Sequence, residues 1–274
     1  MQEEPTVMEF AYSEILPPKQ KIVYHKSYRK LMPQNSRTIL STLLLSILLP
    51  DLVIFLFFPQ ITQTMAAVSR WALSQAVPAE VIQTISREYF HGRIYFLSLP
   101  GHYPSRKLAI IMAIIFMTFL FVIFYWKKVI DPKWVWVVFI SFICLVSALF
   151  FTFFSVYFPY DIEIFSEMYY KTEIGVWLII PFILSISLLP LPASFRSKTA
   201  AIYGTLLYSI AFACIRYIVF LYLLRSISYL FMPLMFFVFG PFLDFVYVVS
   251  VYSLFTSRCA EKHKSSLDIW QWSY

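Results

Sequence analysis

The sequence predicts an all-α fold: a polytopic helical membrane bundle with about six transmembrane helices and a small extracytoplasmic amphipathic cap. Three observations predict it. The first is composition. Of 274 residues, 60% are hydrophobic and 20% aromatic, but only 14% are charged, against roughly a quarter charged in soluble domains, and mean hydropathy is +0.72. The second is the recurrence of apolar runs long enough to cross about 30 Å of hydrocarbon, which takes about 20 residues in a helix. The third is the clustering of lysine and arginine at alternate ends of those runs, the pattern that orients membrane helices.

Six runs qualify, at residues 39–59, 108–126, 134–158, 174–195, 200–224 and 229–256. Lipid offers no hydrogen bonds to a bare backbone, so helices are the expected spanning form. The fourth and fifth runs are separated only by the basic turn RSK, and the fifth and sixth only by RSIS, so each pair should form an antiparallel hairpin. The chain then divides into a polar cytoplasmic tail (1–36), a six-helix transmembrane domain (37–258) containing an extracytoplasmic interfacial segment (60–107), and a cytoplasmic C-terminal tail (259–274). Lys19, Lys21, Lys26, Arg29, Lys30 and Arg37, then Lys127, Lys128 and Lys133, then Arg196 and Lys198, and finally Arg258, Lys262 and Lys264 all fall on one side of this layout. Both termini are therefore expected to be cytoplasmic, with a bacterial inner (cell) membrane as the setting. The acidic connection holding Asp161, Glu163, Glu167 and Glu173 then faces outward. Within 60–107, Ile61, Met65, Val68 and Ala72, followed by Val81, Ile82, Ile85 and Tyr89, recur at helical spacing and predict two short interfacial helices.

Composition also narrows function. With 5 glycines and neither a GxGxxG nor a Walker pattern, nothing marks a nucleotide site. The net charge of +7 sits at the ends of apolar runs and is read as a topology signal rather than a nucleic-acid surface. Cys144, Cys214 and Cys259 are far apart, without CxxC spacing, and read as packing residues. His91 and His102 have no second ligand at i+3 or i+4. No metal or cofactor is expected. The first apolar run begins only near Ile39, so no cleavable leader is read.

Charges inside a span are costly and usually find partners, which singles out Asp51, Arg216 and Asp244. At 1.5 Å per residue, Asp51 and Arg216 each lie roughly 12 Å below the outer ends of their predicted spans. Asp51 is thus the first expected partner of Arg216, and Asp244 the second. Asp244 follows Gly240 and Pro241, a pair that should break the helix and free backbone carbonyls. A buried pair of this kind either fixes which helices are neighbours or forms a functional site. Arg225, at the rim, is expected to snorkel to headgroups.

The last hundred residues, through "YYKTEIGVW", "FRSK", "ACIRYIVF" and "FGPFLDFVY", resemble the exosortase and archaeosortase family of membrane transpeptidases. The resemblance implies a helical scaffold in which Arg216 occupies the family's arginine position. Lys171, Thr172 and Glu173 stand where its nucleophilic cysteine would fall, and Gly240, Pro241 and Asp244 where its final histidine would. The expected function is accordingly a non-catalytic membrane subunit or scaffold, in contact with lipids and with other membrane subunits. One alternative is an outer-leaflet transpeptidase or transferase-like enzyme. There Arg216 would hold an anionic group, and Thr172 or Glu173 would replace the cysteine. A transporter or channel subunit is the other.

Overall fold

The computed structural model describes residues 36–126 and 132–262. The tails assigned to 1–36 and 259–274 lie outside these residues except at Ser36 and Cys259–Lys262, as do Lys127 and Lys128. In chain order come α1 (Ser36–Thr42), a π-helical turn (Leu43–Leu48), α2 (Leu49–Leu73), β1 (Gln83–Tyr89), β2 (Gly92–Ser98), α3 (Arg106–Trp126) and α4 (Pro132–Phe153). Then follow α5 (Ile162–Leu188), α6 (Phe195–Ser226), α7 (Met232–Phe237), a π-helical turn (Val238–Phe242) and α8 (Leu243–Lys262). Among the described residues, six helical stretches are long and apolar enough to cross a membrane: Ile39–Leu73, Arg106–Tyr125, Trp134–Phe153, Ile162–Leu188, Phe195–Ser226 and Tyr229–Lys262. The chain is a multi-pass integral membrane protein.

The first crossing does not stop where its apolar run does. Pro59 lies inside α2, which continues to Leu73, burying Phe58, Thr62, Met65, Ala66, Ser69 and Leu73 along one face. The sequence from Pro59 to Pro78 contains neither glycine nor proline, so nothing interrupts the helical period. The first expected interfacial helix is therefore the upper half of this long helix. The second is a strand. β1 pairs antiparallel with β2 from Gln83↔Ser98 to Tyr89↔Gly92, around a tight turn where Phe90 adopts φ 50°. Ile82, Ile85 and Tyr89 fit a helical spacing. The segment is nevertheless rich in β-branched and aromatic residues, and the non-local ladder with β2 overrides the local period.

The hairpin is a lid packed sideways onto the bundle. Ile94, Phe96 and Leu97 are fully buried, and β2 lies against α2 and α5. The Leu97 N–H donates to Tyr217 Oη (2.9 Å), and Ser166 Oγ donates to the Leu97 carbonyl (3.1 Å), so two side chains satisfy backbone groups that would otherwise be orphaned. β1, the outer strand, is exposed and charged, which guards the free edge. Its Arg87 reaches Glu163 (2.6 Å) and Glu167 (3.3 Å) on α5. The hydrogen bond to Glu163, with the charge of Glu167 beside it, raises the Arg87 pKa above its ordinary value.

α5 also starts earlier than its apolar run. Asp161 caps it, Oδ1 accepting from the Ile164 N–H at 2.8 Å. The expected acidic loop is thus the first three turns of a 27-residue helix. Ser194 caps α6 in the same way. Ser185 Oγ donates to the Ser46 carbonyl, and Cys259 Sγ to that of Pro192. Both ends of the described chain and the α5–α6 connection therefore share one end of the bundle. The hairpin occupies the other end, where the backbone N–H of His102 donates to Leu224 O and its carbonyl accepts from the Tyr229 N–H. α3 and α4 pack mainly on each other at the periphery.

Gly92 is where the hairpin touches α2: a Cβ there would lie 2.7 Å from Pro59 Cγ, whereas one at Gly175 would meet nothing within 4 Å. Gly92→Ala should destabilise by about 1–3 kcal/mol. Gly175→Ala should be neutral or stabilise by up to about 1 kcal/mol. Thermal melts of the two variants in one detergent check the contrast.

Candidate functional site

The site is built from three helices. α6 presents Ser209, Ala213, Arg216 and Tyr217 on its buried face, at the i, i+3, i+4 spacing of one helical side. Facing it, α5 buries Tyr169, Tyr170, Glu173 and Trp177, again one side of a 3.6-residue period. The third wall is the broken last crossing. Gly240 has φ −92° and ψ −119° inside the turn between α7 and α8, because Pro241 has no N–H to give and disfavours a helical residue before it. The carbonyls released by that break point at the arginine.

Arg216 is 5% exposed, with Glu173 at 1% and Asp244 at 2%, so this is a charge cluster removed from both water and lipid. Nη1 donates to the carbonyls of Phe239 (2.9 Å) and Gly240 (3.1 Å). Nη2 donates to Glu173 Oε1 at 2.7 Å. Asp244 Oδ1 is also 2.7 Å from Nη2, an ion pair without an aligned hydrogen bond. The ring of Phe212 covers the guanidinium, 5.0 Å from its central carbon, a cation–π contact that shields the charge from the surrounding hydrocarbon. Around this centre Tyr169 Oη donates to Ala213 O (2.9 Å) and Tyr247 Oη to Ser209 Oγ (2.6 Å).

Several buried polar atoms of the cluster have no hydrogen-bond partner among the described residues: Arg216 Nε, Glu173 Oε2, both Asp244 oxygens, Tyr170 Oη and Trp177 Nε1. Two carboxyls face one guanidinium. The cluster therefore carries no surplus positive charge.

Asp51, the first expected partner, is not in this cluster. Tyr203 Oη donates to Leu45 O, and Cys214 Sγ lies 4.0 Å from Met65 O. These contacts place Asp51 opposite the lower part of α6, about ten residues or roughly 15 Å short of Arg216. Level-matching failed because it took residue 59 as the top of the first crossing, whereas α2 runs on to Leu73. Asp51 stays partly exposed, with one carboxylate oxygen buried and without a hydrogen-bond partner among the described residues. Asp244 and Arg216 do meet. Glu173, expected as a stand-in for a nucleophile, is instead the arginine's hydrogen-bonded partner, and a helical period counted from Asp161 would have put it on the buried side with Phe165, Tyr169 and Trp177.

Thr172 points away, its hydroxyl donating to Met168 O. Cys214 contacts Ser69 Oγ at 3.9 Å, and Cys144 is buried on α4. Arg225 donates to Pro100 O at 2.6 Å. His91 packs on Phe55 and Phe58.

Compared with known proteins, the chain matches no family model, no curated protein and no solved structure. What the cluster does chemically is read from its geometry alone: it ties α5, α6 and α8 together through a cation whose Nη atoms are both engaged.

Removing one member of a buried ion pair strands the other charge and costs about 3–5 kcal/mol. Arg216→Ala should therefore sharply lower the yield of folded protein, and Glu173→Ala should follow it. Thr172→Ala should stay within about 0.5 kcal/mol. Size-exclusion profiles and melting temperatures in detergent read this ranking.

Proposed function

We propose that the protein is a non-catalytic integral membrane subunit, a scaffold that positions partner chains at the bilayer, built on an exosortase-like framework. One observation carries this reading: Arg216 Nη1 donates to two backbone carbonyls, and Nη2 donates to Glu173 and is ion-paired with Asp244, so groups of the chain itself already occupy both Nη atoms. An enzyme using this arginine to clamp an anion would need those donors free, and two adjacent carboxyls oppose any anion brought there.

The covalent route also lacks its parts. Thiolate attack needs a cysteine with an activating neighbour. Cys214 has the Ser69 hydroxyl and the Met65 carbonyl beside it, and Cys259 lies near Pro192, at the far end of the bundle from the Arg216 cluster. Kinship with the transpeptidase scaffold is supported by which residues meet. Glu173, Arg216 and Asp244 come from the segments that the resemblance pairs with nucleophile, arginine and final polar residue. In this chain those segments supply an ion cluster in place of a reacting pair.

A scaffold needs surface for a partner, and the hairpin end supplies it. Phe153, Phe154, Val156 and Tyr157 form a protruding apolar corner between α4 and α5, with Val156 at 91% exposure. Such a patch at the edge of a polar connection suits a protein contact.

Native purification in mild detergent should yield the chain with a second membrane polypeptide at fixed stoichiometry. Replacing Val156 and Tyr157 by aspartate should release that polypeptide without lowering the yield. A lone, well-behaved monomer from native membranes would overturn the proposal.

A further inference from the structure

The ion cluster holds one more acid than base. Glu173 Oε1 and Asp244 Oδ1 both lie 2.7 Å from Arg216 Nη2, so the two carboxyls sit side by side at one nitrogen, buried with it. One guanidinium offsets one carboxylate. Ionised together, the two acids would leave a whole negative charge between helices long enough to cross the bilayer, where an uncompensated charge is costly. The surrounding groups do not cancel it. Tyr170 on α5, with Cys214 and Tyr217 on α6, contributes phenols and a thiol, and residues 232–243, from α7 through the break, contain no titratable side chain. The cations of α5 and the hairpin, Lys171, Arg87 and Arg93, pair instead with Glu167, Glu163 and Glu88, and Arg70 on α2 is exposed.

Hydrogen accounting points the same way. Glu173 Oε2 and both Asp244 oxygens are buried without a hydrogen-bond partner among the described residues. Each acid has a phenol beside it, Tyr169 next to Glu173 and Tyr247 next to Asp244. A phenol has one hydrogen to give. Tyr169 gives its own to the Ala213 carbonyl at 2.9 Å, and Tyr247 gives its own to Ser209 Oγ at 2.6 Å, so each Oη is left with lone pairs for the acid beside it. An ionised carboxylate gains nothing from such a neighbour, because it too has only acceptors to offer. A carboxylic acid O–H can donate to it. Two carboxylates and one guanidinium therefore lack a hydrogen for which the surrounding side chains already provide an acceptor.

We propose that the Glu173–Asp244 pair binds one proton: one acid is the carboxylate that neutralises Arg216, and the other is a neutral carboxylic acid that donates to its tyrosine. The proton belongs to the pair rather than to either residue, as for coupled acids sharing one site, and it is taken from solvent as the chain folds. The assignment goes beyond the scaffold reading and does not depend on it. It makes the contact between α5 and α8 conditional on a bound proton, since losing it sets two carboxylates against each other across that contact. The folded chain then holds one proton more than the unfolded chain, in which both acids are ionised near neutral pH, so stability falls as pH rises.

The test is infrared spectroscopy of the whole chain in an ester-free detergent near neutral pH. The folded parent should show the C=O stretch of a protonated carboxylic acid, shifted in heavy water. Glu173→Gln and Asp244→Asn keep the side-chain volume and an acceptor oxygen, and each should abolish the band, because the acid that remains then ionises against Arg216. Asp51→Asn should retain it. In melts at a series of pH values above the ordinary carboxylate range, the parent's folding equilibrium should weaken about tenfold per pH unit relative to either amide variant, about 1.4 kcal/mol. A folded parent without the band would overturn the proposal, as would a band that survives in both folded amide variants or a pH slope shared by parent and variants. Heavy-carbon labelling of aspartate or glutamate side chains in the unaltered chain decides even if neither variant folds: a band that moves with neither label is not the acid of this pair.

Discussion

Everything in the hairpin half of the bundle depends on keeping one guanidinium charged where there is no water. Arg216 cannot lose its proton, and a bare charge at membrane depth is costly. The chain surrounds it with two carboxyls, two backbone carbonyls and an aromatic face, drawn from α5, from α6 itself and from the broken last crossing. That demand explains the broken sixth crossing. A regular helix has its carbonyls committed to its own ladder, whereas Gly240 and Pro241 free two of them at the needed level. The defect in one helix and the charge in another are halves of one arrangement.

The same logic extends outward from the cluster. Tyr217, next to Arg216, reaches the opposite way and donates or accepts at Leu97 of the hairpin, while Ser166 on α5 holds the same residue. Tyr169 stacks on Tyr217 with ring centroids 5.5 Å apart, and Tyr170 packs edge-on against it at 4.8 Å. Positioning Arg216 thus also positions the tyrosines that hold the β-hairpin. A two-stranded hairpin is barely stable alone. This one persists because β2 is built into the helical core, and it closes the upper end of α2 against α5 and α6.

How much of this was legible in the sequence varied with the physics behind each signal. Six apolar runs announced the class because hydropathy alone decides it. The break at Gly240–Pro241 was legible for an equally local reason. Span ends were not: α2 and α5 both run past their apolar stretches, since a helix stops at a cap or breaker rather than where hydropathy falls. Asp161 is the cap that starts α5, and missing it put Glu173 in a loop. Running α2 only to residue 59 shifted Asp51 to the wrong depth. The hairpin was obscured for a different reason, because Ile82, Ile85 and Tyr89 satisfy a helical spacing and only pairing with residues 92–98 decides between the two.

The ion cluster bears on function through its charge balance. An arginine with free donors and no adjacent carboxyls would be a site for phosphate or carboxylate, the usual work of a guanidinium at a membrane surface. Here two carboxyls meet it and two backbone carbonyls take up Nη1, so an incoming anion would face like charge where it would need free donors. The break that supplies the carbonyls lies beside an apolar groove lined by Phe212, Val219, Leu234 and Phe239. The carbonyls at the kink solvate the guanidinium, and Glu173 and Asp244 balance its charge. The Gly240–Pro241 defect and the buried charge therefore have to be read together, because the carbonyls beside the break are part of what holds the guanidinium at membrane depth.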